Sequence, residues 1–434
     1  MKRVKIATLV MLCILTVGLC GIFAYGISGH DIYVRGYDGE AYESYGSPQL
    51  VMEKEIPLDG IDKISVLYDM NSNDVYIYES EGDVLTIKEY SELDLKERDL
   101  STVTVTGSGI EVRGKMRNGK SYQVQIGMFG VRSAYCYTEI GLPSSYKGQL
   151  TFSTASGDIK SQMDIALEKE FKAATSSGDI IIPNITAKNV SLGCSSGDVE
   201  VDVINTEVNN ATGAIDITTS SGDIDVNQLT GKMNIESTSG EITVKQLTGG
   251  TRIKSSSGNI ESEAISGNTQ IETTSGDICV KHIDGAVTAQ ASSGRVEIQE
   301  GSGERTVRTT SGDIQLKGVD SAWEVRSSSG QVWIKAREGS GSVNTTSGDI
   351  ELELEKLTGN LRFDCSSGLV KIKISADNAF DFKADTTSGD IQTFFDNDLN
   401  FSKRGNSANG TYGDNKSGSR IEVSTTSGDV RVTD

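Results

Sequence analysis

The chain has little with which to do acid–base chemistry near neutral pH. Of its 434 residues, only His30 and His282 are histidines, and histidine is the side chain whose ordinary pKa lies in that range. Proline is nearly as scarce, with 4 residues in all and none after Pro183. Proline cannot donate to a strand ladder, so its absence leaves the second half of the chain free to pair. Positive charge is also in deficit: 41 Lys and Arg face 61 Asp and Glu, for a net charge of −20. That balance excludes a nucleic-acid or anionic-membrane surface, either of which needs a basic patch. The 6 cysteines include no CxxC pair. Cys13 and Cys20 lie in an apolar run, and Cys136, Cys194, Cys279 and Cys365 are too dispersed for a zinc spacing or a dense disulfide framework. They read as isolated, buried thiols. Apolar residues reach only 36%, low for a globular enzyme.

The long hydrophobic run is at the start. Lys2, Arg3 and Lys5 precede Ile6–Ile27, which carries no charge and is long enough for the ~20 residues that span a bilayer core. The cations hold that end in the cytoplasm and send the remainder outward. Residues 1–27 are therefore expected to be a membrane anchor or signal peptide, the latter cleaved near Ala24-Tyr25-Gly26. Residues 28–52 are rich in Gly, Ser and Tyr without a period and read as a juxtamembrane linker.

Glycine is what the chain has in quantity, with 48 residues, and its placement is regular. Gly222, Gly240, Gly258, Gly276, Gly294, Gly312, Gly330 and Gly348 follow one another at steps of 18. Gly231, Gly249, Gly267, Gly285, Gly303 and Gly339 fall halfway, with Ser321 as the exception. A fixed period near 20 marks a solenoid. Aliphatic residues recur two and four positions after each major glycine, as in Ile224/Val226, Ile242/Val244, Ile278/Val280 and Ile314/Leu316, and again thirteen after it, as in Ile235, Ile253 and Ile271. Spacing of two means strand, with alternate side chains outward. The outward positions are polar, as Asp225, Glu261, Glu297 and Glu351 show.

Two short strands per 18 residues make one coil of an all-β, parallel, two-sheeted β-solenoid. No single coil buries enough apolar surface to offset the entropy of ordering it. Stacking supplies the rest. The expected division is an N-terminal β capping region at 53–150, solenoid repeats at 151–391, and an insertion with a terminal coil or cap at 392–434.

The phrase TTSGDI occurs at Thr273–Ile278, Thr309–Ile314, Thr345–Ile350 and Thr386–Ile391, and TTSGDV closes the chain at Thr425–Val430. Its glycine suits the positive φ of a tight turn, and its Ser and Asp can hydrogen-bond turn amides. The inward position three before the glycine takes small groups, including Cys194 and Cys365. The acidic position alternates along the stack as Asp277, Arg295, Asp313, Gln331, Asp349, Leu369, Asp390. Calcium-binding β-rolls use GGxGxD, which is absent. The Asp reads as a shaping residue, with no metal, catalytic or cofactor-binding residues and no cofactor expected.

Three further stretches carry a resemblance. They are EKEIPLDGIDKISVLYDMNSNDVYIYESEGDVLTIKEY (Glu53–Tyr90), IGLPSSYKGQLTFSTASGDI (Ile140–Ile159) and GNSANGTYGDNKSGSRIEVSTTSGDVRV (Gly405–Val432). With the SGD repeats they resemble the bacterial putative-adhesin family, a domain of unknown function in cell-envelope proteins. The resemblance implies an all-β repetitive fold outside the cytoplasm, often membrane-anchored and near envelope-stress regulators. It brings no catalytic residues.

The expected function is thus a non-catalytic extracytoplasmic envelope protein, adhesin-like or acting as an interaction scaffold, with a link to envelope-stress sensing. Its partner would be an envelope protein or glycan, not nucleic acid, and its ectodomain a monomer on its own anchor. The rival reading is a carbohydrate-binding or carbohydrate-active β-helix, although coils of 18 leave no room for the long loops of a catalytic groove. Trp333, on an outward column, is a candidate anchor for a partner. His282, at an outward position with no evident Ser or Cys partner, reads as a solvent-facing polar side chain.

Overall fold

The computed structural model describes residues 44–69, 72–115, 125–127, 130–132, 135–209 and 211–434. The uncharged run Ile6–Ile27, with Cys13 and Cys20, lies outside them. Among the described residues, no helix is long and apolar enough to cross a membrane.

Among the described residues, the regular elements are strands apart from two short 3-10 turns, and most strand pairs are parallel. Successive coils contribute one strand to each of two ladders. The first runs through Gln149–Thr154, Glu170–Thr175, Asn189–Cys194, Ala214–Thr219, Lys232–Ser237 and onward. The second runs through Ile159–Ser161, Ile180–Thr186, Val199–Asn205, Ile224–Thr230 and Ile242–Thr248. Like residues stack on like. Ile224, Ile242, Ile260, Ile278, Val296, Ile314, Val332, Ile350, Val370 and Val430 are consecutive register partners, and all are buried. Each such side chain contributes roughly 1.5–3 kcal/mol on burial, so the core is a set of aliphatic columns between two ladders.

The turn chemistry differs from expectation in two respects. Gly330, Gly348 and Gly368 have the expected positive φ, but glycines 222 through 312 of the major column lack it. They are required by close approach instead. A Cβ built on Gly222, Gly240, Gly276 or Gly312 would lie 1.7, 1.8, 2.0 or 1.8 Å from the carbonyl oxygen of the glycine one coil below, well inside van der Waals contact. The second difference concerns Asp. Its carboxylate does not return to its own turn but accepts the amide of the equivalent residue in the next coil. Asp277 Oδ1 accepts the N–H of Arg295 at 2.8 Å, Asp313 that of Gln331 at 2.8 Å, and Asp349 that of Leu369 at 2.8 Å. Asn259 does the same for Asp277 at 3.0 Å. In the N-terminal coils the chain of donors is continuous from Asp74 through Asp158, Asp179, Asp198 and Asp223 to Glu241. This is how stacked carboxylates are tolerated: each accepts a peptide dipole. The inward Thr or Ser closes the turn, its hydroxyl accepting the glycine N–H, as at Thr273–Gly276 (3.1 Å) and Ser255–Gly258 (2.8 Å).

One corner departs from the repeat. The column Leu229, Leu247, Ile265, Ile283 continues with Gly301, and pairing between these two coils stops at His282 and Glu300. Arg305, with 0% exposure, points inward there. Its guanidinium donates to the carbonyls of Ile283 (2.8 Å), Gly285 (2.8 Å) and Gly303 (2.7 Å). The arginine thus fills space left by the missing aliphatic side chain and supplies donors where the ladder has ended. Burial lowers its pKa, partly opposed by Asp284.

The ends do not follow chain order. Lys63–Tyr68 and Asp74–Glu79 form a coil directly below that of Gln149–Ser161, and Gly109–Arg113 with Cys136–Leu142 lies below that. Antiparallel strands close this end: Thr102–Thr106 on one ladder, Val84–Leu93 and then Ser44–Pro57 on the other. At the far end, the coil formed by Arg420–Ser427 and Val430–Thr433 inserts between the coil of Leu361–Ile374 and that of Phe380–Thr393. The antiparallel strand Ser407–Tyr412 then covers the edge of Phe380–Ser388. Phe394, Phe395 and Tyr412 pack around Phe380 and Phe382, with centroids 4.9–5.6 Å apart.

Candidate functional site

Outward side chains of three adjacent strands at the N-terminal end form a cluster of tyrosines. In Asp74–Glu79, Val75 and Ile77 face the core, so Asp74, Tyr76 and Tyr78 face out. Cys136–Leu142 sends Tyr137 and Glu139 the same way, and Val84–Leu93 sends Lys88 and Tyr90. The registers bring them together: Tyr137 pairs with Tyr90 on one side and Asp74 on the other, and Glu139 with Lys88 and Tyr76. Tyr90 and Tyr137 stack at 4.6 Å with planes 9° apart. Tyr76 meets Tyr137 edge-on at 5.6 Å, and Tyr135 lies 5.6 Å from it. Tyr78 folds across the neighbouring strand at Gly141, where a Cβ would come within 2.8 Å of its ring.

The polar ends are fixed as well. The Tyr135 hydroxyl donates to Asp74 Oδ2 at 2.6 Å and lies 3.1 Å from that of Tyr76. Burial, then the bond to Asp74, raises the Tyr135 pKa far above the ordinary phenol value. Burial does the same, more modestly, to Tyr78, Tyr90 and Tyr137. These four phenols are therefore protonated at neutral pH and serve as neutral hydrogen-bonding groups rather than bases. A hydrogen bond from Lys88 to Glu53 raises the lysine pKa, with the pair 3.4 Å apart.

Tyr76, Tyr78, Lys88, Tyr135, Tyr137 and Glu139 of this cluster wall a cleft of about 510 Å³ that also includes Gln162. Tyr78 and Gln162 are shared with a second cleft of about 730 Å³, lined further by Leu142, Tyr146, Met163 and Ile165. Both volumes fall in the ~300–1,000 Å³ range of small-ligand sites.

The residues singled out in the sequence lie elsewhere. Trp333 is half-buried on its outward column, with the Lys317 ammonium 5.7 Å from the ring centroid. His282 is bonded to Asp284 at 3.0 Å on an exposed surface. Cys136, Cys194 and Cys365 are buried and Cys279 is half-buried. Burial raises the pKa of Cys194 and Cys279, which makes them poor nucleophiles. Among the described residues, no three His, Cys, Asp or Glu side chains converge as a metal cage. The tyrosine cluster was missed. Its trace was the alternation in VYIY (Val75–Tyr78) and YCY (Tyr135–Tyr137), visible in separate strands but without the register that joins them.

These features define a repetitive β protein with a preformed aromatic surface. The family model described as Toastrack DUF4097 matches residues 61–278 and 251–433, and the chain belongs to that family. Among curated proteins, none matches the chain. Among solved structures, the chain is similar to a putative cell adhesion protein from Clostridium sporogenes (9% identity, covering 89% of this chain and 99% of that one, TM-score 0.24). It is also similar to a putative lipid binding protein from Parabacteroides distasonis (14%, 76% and 98%, TM-score 0.21). A third is a putative adhesin from Parabacteroides merdae (13%, 80% and 96%, TM-score 0.18). TM-scores this low leave the fold to rest on the family match and the strand registers.

Proposed function

We propose that this protein is a non-catalytic, adhesin-like interaction module of the bacterial cell envelope, anchored through residues 1–27 and presenting its β stack outside the cytoplasm. The observation that carries the reading is the tyrosine cleft: fixed rings, protonated hydroxyls and a shaped surface suit binding more than proton transfer. Cross-strand pairing and aliphatic columns hold the cleft rigid, which lowers the ordering cost of binding. The acidic surface, net −20, is compatible with an envelope protein or a glycan as partner and unfavourable to nucleic acid. A place beside envelope-stress regulators remains part of this proposal through the family resemblance.

Two measurements test it. Protease added to intact spheroplasts should degrade residues 44–434 while leaving the first ~30 residues protected, as a single span with its N-terminus inside requires. Protection of the whole chain until lysis overturns the topology. A photo-cross-linker at Gln162 in intact cells should capture an envelope component, whereas one at Lys254 should not. Equal capture from both positions overturns the assignment of the cleft.

A further inference from the structure

We infer that the tyrosine cleft is a binding site for a neutral, β-linked oligosaccharide; the inference rests on the interaction-module reading and names the ligand class for that surface. Pyranose rings with equatorial substituents present flat faces of C–H groups with hydroxyls around the rim. The C–H groups carry slight positive charge and fit against the negative face of an aromatic ring. Tyr76, Tyr135 and Tyr137 line the cleft with such rings, Tyr76 and Tyr135 each 5.6 Å from Tyr137, which Tyr90 supports by stacking at 4.6 Å, and Glu139 and Gln162 line the same cleft as hydrogen-bonding groups. The rings are held by stacking and by the Asp74 hydrogen bonds, so little side-chain freedom is lost on binding.

Charge selects a neutral ligand. Among the described residues, the two ammonium groups beside the cleft are already engaged, Lys88 with Glu53 at 3.4 Å and Lys160 with Asp158 at 2.6 Å. Asp74 and Glu139 add negative charge, so among the described residues a phosphate- or carboxylate-bearing polymer meets repulsion and only cations already paired with carboxylates. Geometry disfavours a peptide added as a strand. Each strand bearing the cleft is paired on both sides: Val84–Leu93 with Ser44–Pro57 and Cys136–Leu142, Cys136–Leu142 also with Asp74–Glu79, and Asp74–Glu79 also with Ile159–Ser161. These three strands therefore offer no backbone edge for β-augmentation. Continuity with the second cleft through Tyr78 and Gln162 gives length for more than one sugar ring.

The test is titration calorimetry of the full-length chain in detergent with two probes, the β-1,4-linked tetrasaccharide of N-acetylglucosamine and cellotetraose. At least one should bind with a Kd in the micromolar to millimolar range. Tyr137→Ala should weaken binding about tenfold or more, since it removes the ring at the centre of the cluster, while Tyr137→Phe should stay within about threefold. Tyr135 is 38% exposed, so Tyr135→Ala is the second variant should Tyr137→Ala fail to fold, and it too should weaken binding. If neither tetrasaccharide binds, or binding survives both alanine variants unchanged, the inference is overturned. Stronger binding of a poly(glycerol phosphate) chain or a proline-rich decapeptide, lost in the same variants, overturns it equally. Capture of an unglycosylated protein through Gln162 in cells, with no tetrasaccharide binding, would retain the interaction module and reject the glycan.

Discussion

Replacing the turn acids gives the most direct measure of what the SGD phrase does. Asp277, Asp313 and Asp349 each accept one amide from the coil above, at 2.8 Å. They sit 36 residues apart, two coils or ~9.6 Å along the stack at the strand spacing, and share no partner, so their effects should add. A hydrogen bond to a partly solvated amide contributes about 0.5–1.5 kcal/mol net. The triple alanine variant should therefore lose roughly 1.5–4.5 kcal/mol. The triple asparagine variant should lose little, because Asn keeps the accepting oxygen, as Asn259 already does for Asp277. Urea unfolding followed by far-UV circular dichroism measures both, with the slopes compared to exclude a change in cooperativity. Calcium should leave the midpoint of each unchanged. Alanine and asparagine triples that unfold together would refute the role given to the carboxylates, and a calcium-dependent rise in wild-type stability alone would show a metal ladder instead.

Three other outcomes follow from the packing. Ser262 faces the core between Val244 and Val280 with its hydroxyl unpartnered; Ser262→Val should raise stability by about 1–2 kcal/mol by removing a desolvated polar group, and a lower melting temperature would contradict this. Gly276→Ala places a Cβ 2.0 Å from the Gly258 carbonyl oxygen and should cost about 1–3 kcal/mol by overpacking, whereas Gly250→Ala, with nothing within 4 Å, should be tolerated; equal melting temperatures would remove the close-approach argument. Replacing residues 396–417 with a short Gly-Ser turn removes the strand Ser407–Tyr412 that covers Phe380–Ser388. It should give concentration-dependent oligomers by light scattering, because an uncovered edge templates further strands, and a stable monomer would show that the segment is not the cap.

Much of the stack was legible in the sequence, because a coil's inward and outward positions depend on local alternation and on the constant distance between glycines. Ile224, Val226 and Ile235 could be placed in the core from that spacing, and they are buried there. The need for glycine was legible too, but not its cause. A single coil suggests a positive φ, which Gly330, Gly348 and Gly368 have, whereas the contact that excludes a Cβ from Gly222 through Gly312 comes from the coil below. The same holds for Asp313, whose partner, the amide of Gln331, exists only once two coils are stacked.

Pairing order lay beyond the sequence altogether. Arg420–Thr433 could have stacked last, yet it inserts beneath Phe380–Thr393. Both arrangements satisfy the same inward pattern, and only the competition among whole strands for the available edges chooses between them. The tyrosine cleft arises in the same way: Tyr76, Tyr90 and Tyr137 lie on separate strands, joined when antiparallel and parallel partners close the N-terminal end. Local periodicity by itself thus determined which side chains face in and which face out, since that is fixed by the strand's own geometry. Which outward side chains become neighbours was decided only by tertiary pairing.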